Sequence, residues 1–203
     1  MGITVDWPLK TAGGLAKAVQ ECTRCPLSAK QEPNTLHVPA EVGKDYHKHG
    51  IGIICEAPGY YEAKSGRPLV GKAGQLFDQL VAQAGLSRDQ LMLTNVVRCR
   101  PPDNNLKDYP EATFACDHWT QLELSVYDPA LIILMGATAM SKAFGADAKV
   151  GATRGTFTIW NGRVAAATYH PSAAVYGGGL TSETANYIIR DIRMAKRVWE
   201  SLG

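Results

Sequence analysis

The sequence is short of long apolar runs. No apolar run approaches the roughly 18 residues that a membrane span needs, so no contact with membrane is expected. The stretch Met1-Gly-Ile-Thr-Val-Asp6 has no basic region followed by an apolar one, which argues against a secretory signal. Asp6 stands where a myristoylation motif carries Ser or Thr. These absences point to the cytoplasm. An excess of one charge is missing too: 21 basic against 19 acidic residues leave a formal charge of +2. A nucleic-acid partner must therefore be met by a local basic patch. There is no internal repeat, low-complexity tract or linker. At 203 residues the chain is long enough for one sizeable core and short for two, so a single domain over residues 1–203 is expected.

What is present begins with five cysteines. Four of them fall as C-x2-C at Cys22 and Cys25, then, after 73 residues, C-x16-C at Cys99 and Cys116. In a reducing compartment such a set more often binds metal than forms disulfides. Zinc and an iron–sulfur cluster both fit the spacing, and so do unrelated buried thiols. Cys55, inside an apolar run, reads as a small core residue.

Short β-rich runs alternate with helical stripes. Residues 51–55, 91–97, 131–135 and 164–169 read as buried strands. Leu76, Phe77, Leu80, Val81 and Ala84 recur at helical spacing before Gly85, and helices are expected over 110–126, 137–144 and 184–202. Residues 37–50, with His37, His47 and His49, read as a polar, mobile loop, and these histidines and His118 carry no chemical context. The alternation predicts an α/β fold with a mainly parallel sheet covered on both faces, whose ligand crevice lies at the C-terminal strand ends.

Those ends carry the chemistry. Glu56-Ala-Pro-Gly59 follows the first strand and leads to Glu62 and the glycine-rich Gly66-Arg-Pro-Leu-Val-Gly-Lys-Ala-Gly74. Asn95 and Cys99 follow the second, Gly136-Ala-Thr138 the third, and His170-Pro-Ser172 the fourth. Glycines permit close backbone approach to a ligand, and a helix start can hold a phosphate. Singly, each polar residue has a plain structural reading. Jointly, a carboxylate, a carboxamide and an imidazole converge on one sheet edge.

In this order, Cys-x2-Cys-Pro-Leu27, Glu56-Ala-Pro-Gly59, Gly66 to Gly74, Asn95-Val-Val-Arg-Cys-Arg-Pro-Pro102, Gly136-Ala-Thr138 and His170-Pro-Ser172 resemble the family 4 uracil-DNA glycosylases, which carry an iron–sulfur cluster. The resemblance implies a three-layer α/β/α fold around a central, mainly parallel four-stranded sheet. It implies a 4Fe-4S cluster on Cys22, Cys25, Cys99 and Cys116. It also implies a monomer that flips uracil out of single- or double-stranded DNA and hydrolyses its N-glycosidic bond. Asn95 would pair with uracil O4 and N3–H, and His170 would donate to O2, where charge grows. Glu56 and Glu62 match the acidic residues that hold or polarise water. Ala57 and Leu69 would complete the base pocket with Glu56. DNA contacts would come from Gly71, Ala73, Gly74, Arg98, Arg100, Thr138, Ser172 and Val175.

The departures fall on the substrate side. Leu69 replaces the phenylalanine that stacks on the flipped base, a contact worth about 1–3 kcal/mol. Ala173-Ala-Val-Tyr176, followed by three glycines, replaces a larger wedge ending in arginine. Cys55 replaces a glycine, and the usual Asn-Arg-x-Pro after Pro102 is absent. The inserted basic loop of the related covalent-trapping enzymes is missing near residues 100–110. Two alternatives therefore stand beside uracil excision: removal of a modified pyrimidine, and a catalytically weak binder of uracil or abasic DNA.

Overall fold

A computed structural model describes residues 11–202; the segment Met1–Asp6 lies outside them. The described chain runs α1 (Ala12–Gln20), β1 (Glu41–Val42), β2 (Ile51–Cys55), α2 (Tyr60–Ser65), α3 (Lys72–Gln83), β3 (Leu91–Asn95), α4 (Pro110–Ala115), α5 (Asp117–Tyr127), β4 (Leu131–Met135), α6 (Ala137–Phe144), α7 (Val150–Thr153), β5 (Phe157–Trp160), β6 (Arg163–Thr168), α8 (Pro171–Tyr176) and α9 (Glu183–Glu200).

Strand order is β1-β3-β2-β4-β6-β5. The four inner strands are parallel, as expected, and an antiparallel strand borders each edge. The sheet is thus six-stranded and mixed. Every residue of β2, β3 and β4 is buried, because helices cover both faces. Alternate side chains serve opposite cores. Ile51, Ile53, Leu91, Leu93, Leu131 and Ile133 pack under α3 and α9. Ile54, Met92, Ile132 and Leu134 pack under α1 and α5. Three layers follow from that alternation.

Two expectations change. Residues 37–50 are pinned rather than mobile: Val38 is fully buried and its N–H donates to the Arg98 carbonyl at 2.7 Å. Glu41 and Val42 there pair with Leu93 and Met92. The helix expected over 110–126 is two, broken at Cys116.

One polar group lies at the centre of the second core. Arg98 is 1% exposed and Glu123 0%. The guanidinium meets Glu123 Oε2 at 2.5 Å and donates to the Asn95 and Val96 carbonyls and to Thr120 Oγ1. Glu123 also accepts from Thr94 Oγ1 at 2.7 Å and from the Ala40 N–H at 3.1 Å. Removing one member of such a pair strands a buried charge. Glu123→Leu is expected to cost about 3–5 kcal/mol in urea unfolding, and Arg98→Met on top of it to recover part of that loss. A Glu123→Leu protein as stable as the parent would refute this account.

Candidate active site

The C-terminal strand ends bring the expected polar groups together. Cys55 and Asn95 are register partners at the ends of β2 and β3. Glu56 follows directly, and its carbonyl accepts from the Val97 N–H at 3.0 Å, which carries the two strands' pairing into the loops. Gly136 follows β4 with a φ of +88°, and a Cβ there would lie 3.1 Å from the His170 Cβ. Only glycine lets those loops close so tightly. The cavity so enclosed measures about 380 Å³ and is lined by Glu56, Ala57, Glu62, Leu69, Ala73, Asn95, His170 and Ser172 among others.

Asn95 is 3% exposed, and its Nδ2 is one of two buried side-chain polar atoms without a partner among the described residues. A buried amide left unpaired costs about 1–3 kcal/mol, and Asn95 is one of the residues that line the cavity. His170 caps α8: its Nδ1 accepts the Ser172 N–H at 3.2 Å and lies 2.7 Å from Ser172 Oγ. That bond makes Nδ1 the acceptor and puts the proton on Nε2. Burial pushes the His170 pKa down to about 4, against a smaller upward pull from Glu62. The imidazole is neutral at physiological pH and presents one N–H donor.

The carboxylates differ in commitment. Glu56 Oε2 accepts from the Thr138 hydroxyl. Glu62 is buried, and its Oε1 accepts both the Val70 N–H at 2.9 Å and the Gly71 N–H at 2.8 Å. Those amides directly follow Leu69, a cavity wall with a φ of +52°, a left-handed conformation that a bulky side chain rarely adopts. From the other side, Arg88 donates to the Leu69 carbonyl at 2.9 Å and to the Pro68 carbonyl, while its Nε meets Glu41 at 2.8 Å. Two side chains therefore clamp residues 68–71. Gly74 completes the clamp, because a Cβ there would sit 1.9 Å from the Leu69 carbonyl oxygen.

Several expected DNA contacts are placed elsewhere. Arg98 is buried in its ion pair with Glu123 and cannot reach a backbone phosphate. Gly74 is buried against Leu69, and the Thr138 hydroxyl is taken by Glu56. Val175 packs against the core under α3 and α9, whereas Tyr176 is 90% exposed at the cavity lip. Arg100 stays at the surface rim, paired with Glu32 at 2.5 Å and Asn104 at 3.0 Å. Gly71 caps α3, and Ala73 lines the cavity from its first turn. Cys55 forms part of the floor, and burial pushes its thiol up to about 12, so it stays protonated. Tyr176 was legible in principle: with Ala174 buried at helical spacing, residue 176 falls on the open face. Nothing local marks Arg88.

The four expected ligand cysteines all lie at the second core. Cys99 and Cys116 are buried in it, and Cys22 and Cys25 are partly buried against it. Burial pushes the Cys99 thiol up, and the neighbouring Cys116, Cys25 and Cys22 push it further. Burial likewise raises Cys116, opposed by the Arg98 charge and its backbone N–H. The Trp119 indole N–H donates to Cys22 Sγ at 3.2 Å. Among the described residues no three Cys, His, Asp or Glu side chains form a group that could hold a metal ion.

Comparison with known proteins gives the site its setting. A family model described as the uracil DNA glycosylase superfamily matches residues 45–193. A type-4 uracil-DNA glycosylase of Thermotoga maritima is 34% identical over 186 residues, covering 90% of this chain and 91% of that protein. The chain belongs to this family. Type-4 uracil-DNA glycosylases of Sulfurisphaera tokodaii and Pyrobaculum aerophilum are each 35% identical, over 82% and 83% of this chain and 78% and 87% of theirs. The fold agrees with membership: α/β, with helices on both faces of the central sheet. Among the described residues no helix is long and apolar enough to cross a membrane.

The depressed His170 pKa has a measurable consequence. Unfolded histidine titrates near 6.5, so between about 6.5 and about 4 the unfolded state binds the extra proton. The stability His170 contributes is therefore full above about 6.5 and lost as pH falls towards 4. Imidazole nitrogen shifts at about pH 6 should report a neutral ring protonated on Nε2. An imidazolium signal at that pH would overturn the assignment.

Proposed function

We propose that the chain is a single glycosylase domain that hydrolyses the N-glycosidic bond of deoxyuridine in DNA, acting as a monomer in the cytoplasm. The observation that carries this reading is the unpartnered Asn95 amide N–H, buried and facing a cavity that also holds the neutral His170. An amide offers a donor to uracil O4 and an acceptor to N3–H, a pattern that cytosine reverses. His170 Nε2–H donates to O2. As the C1′–N1 bond breaks, N1 keeps the electron pair, and charge spreads to O2, where that donor waits. Water adds its oxygen to C1′ and releases a proton, and uracil leaves as the conjugate base. Glu56 is the better candidate to orient that water, because Glu62 is committed to the Val70 and Gly71 amides. Every group in this scheme comes from one chain.

DNA backbone contacts are assigned to the first turn of α3 at Gly71 and Ala73, to Ser172, and to the Arg100 rim; Tyr176 replaces Val175 at the lip. The four cysteines fit a 4Fe-4S cluster. Crowded thiolates would repel one another unless a cationic core compensated them, and the Trp119 and Arg98 N–H groups supply donors to sulfur. A cluster presents one iron to each thiolate, so its ligands need not converge on a single point. Bound there, it would have a structural part: Cys22, Cys25, Cys99 and Cys116 would join the segment after α1, the Asn95–Cys99 loop and the end of α4.

The direct test is excision from uracil-containing single- and double-stranded oligonucleotides, read by alkali cleavage at abasic sites. Asn95→Ala should lower kcat/KM for uracil by roughly 10- to 100-fold and narrow the preference over cytosine. Unchanged activity in that variant would remove Asn95 from its role. Cys99→Ser should abolish the visible absorption of the cluster and lower the melting temperature. A colourless wild-type protein with no iron would end the cluster assignment.

A further inference from the structure

Next to the cavity, α2 opens with two tyrosines on its surface. Tyr60 is 47% exposed and Tyr61 60%, between cavity residues Gly59 and Glu62. Their rings stand edge to face, 5.5 Å apart at 85°. The Arg100 guanidinium lies 5.4 Å from the Tyr60 centroid and the Lys64 ammonium 5.7 Å. Arg100 also bonds to Asn104, which lines the cavity. The Tyr61 ring rests near the backbone at Gly71, where a Cβ would meet its Cδ2 at 3.3 Å.

A solvated helix face explains exposed tyrosines only in part. These two are adjacent, flanked by cations and continuous with a cavity whose own wall, Leu69, supplies no aromatic face. Base stacking on an aromatic ring is tolerant of sequence and needs the base to be unpaired. We propose that Tyr60 and Tyr61 form a stacking subsite for an unpaired base flanking the flipped nucleotide, with Arg100 and Lys64 beside its phosphate. The proposal rests on the uracil-excision reading and extends it: the protein holds uracil best where the adjoining DNA is single-stranded.

The test measures binding by fluorescence anisotropy to a single-stranded oligonucleotide carrying a non-cleavable 2′-fluoro deoxyuridine, and to its counterpart with abasic nucleotides on both flanks. Changing both residues together, Tyr60→Leu with Tyr61→Leu should weaken binding of the first by about 5- to 100-fold. Tyr60→Phe with Tyr61→Phe should keep wild-type binding, since the ring and not the hydroxyl is used. The abasic-flanked oligonucleotide should bind the wild type and the leucine pair equally. Equal binding of the first oligonucleotide by leucine pair and wild type, or an equal loss on both oligonucleotides, would overturn the subsite. Failure of the excision reading shows separately, as wild-type protein that leaves uracil DNA uncut, while the leucine and phenylalanine comparison still reads the stacking.

Discussion

The buried pair of Arg98 and Glu123 is the contact on which the site depends. It lies between Asn95 and the cysteines, and it joins three parts of the chain, at Ala40, at Thr94 to Arg98 and at Cys116 to Glu123. The guanidinium takes the carbonyls of Asn95 and Val96, Glu123 takes Thr94 and Ala40, and the Arg98 backbone reaches Cys116. Charges taken out of water at such a place do little for net stability. They do fix direction, because each hydrogen bond accepts only a narrow range of geometries. The Asn95 side chain can therefore point into a cavity with an unpaired donor and not collapse onto its neighbours.

Around that pair the molecule separates two duties. The face under α1 and α5 carries the four expected ligand cysteines and the polar hub. The face under α3 and α9 carries the walls: Leu69, clamped from both sides, and the α8 segment, whose His170 cap fixes its own tautomer. The glycines at 74 and 136 serve this second face by letting backbone meet backbone or imidazole at distances a side chain would forbid.

Much of this was legible in the sequence. Four parallel strands showed as apolar runs because strands buried on both faces have no polar alternation to hide them. Asn95, Glu56 and His170 were found by their place after those runs. The edge strands β1 and β5 were not, since two to four half-buried residues leave no periodic trace. Arg98 misled for a physical reason: an arginine in a loop beside prolines looks like a phosphate ligand, and only the partner 25 residues away explains its burial. The break at Cys116 was hidden because helical periodicity runs through it. Arg88 left no mark, because its role is set by backbone carbonyls about 20 residues distant.

The clamp on residues 68–71 has a consequence for how such a pocket can change. Both Arg88 and Glu62 grip main-chain atoms of residues 68–71. The wall is held by its skeleton, while the Leu69 side chain itself packs into the first core. The frame at 68–71 is set by main-chain hydrogen bonds, so it would persist under a different side chain at position 69.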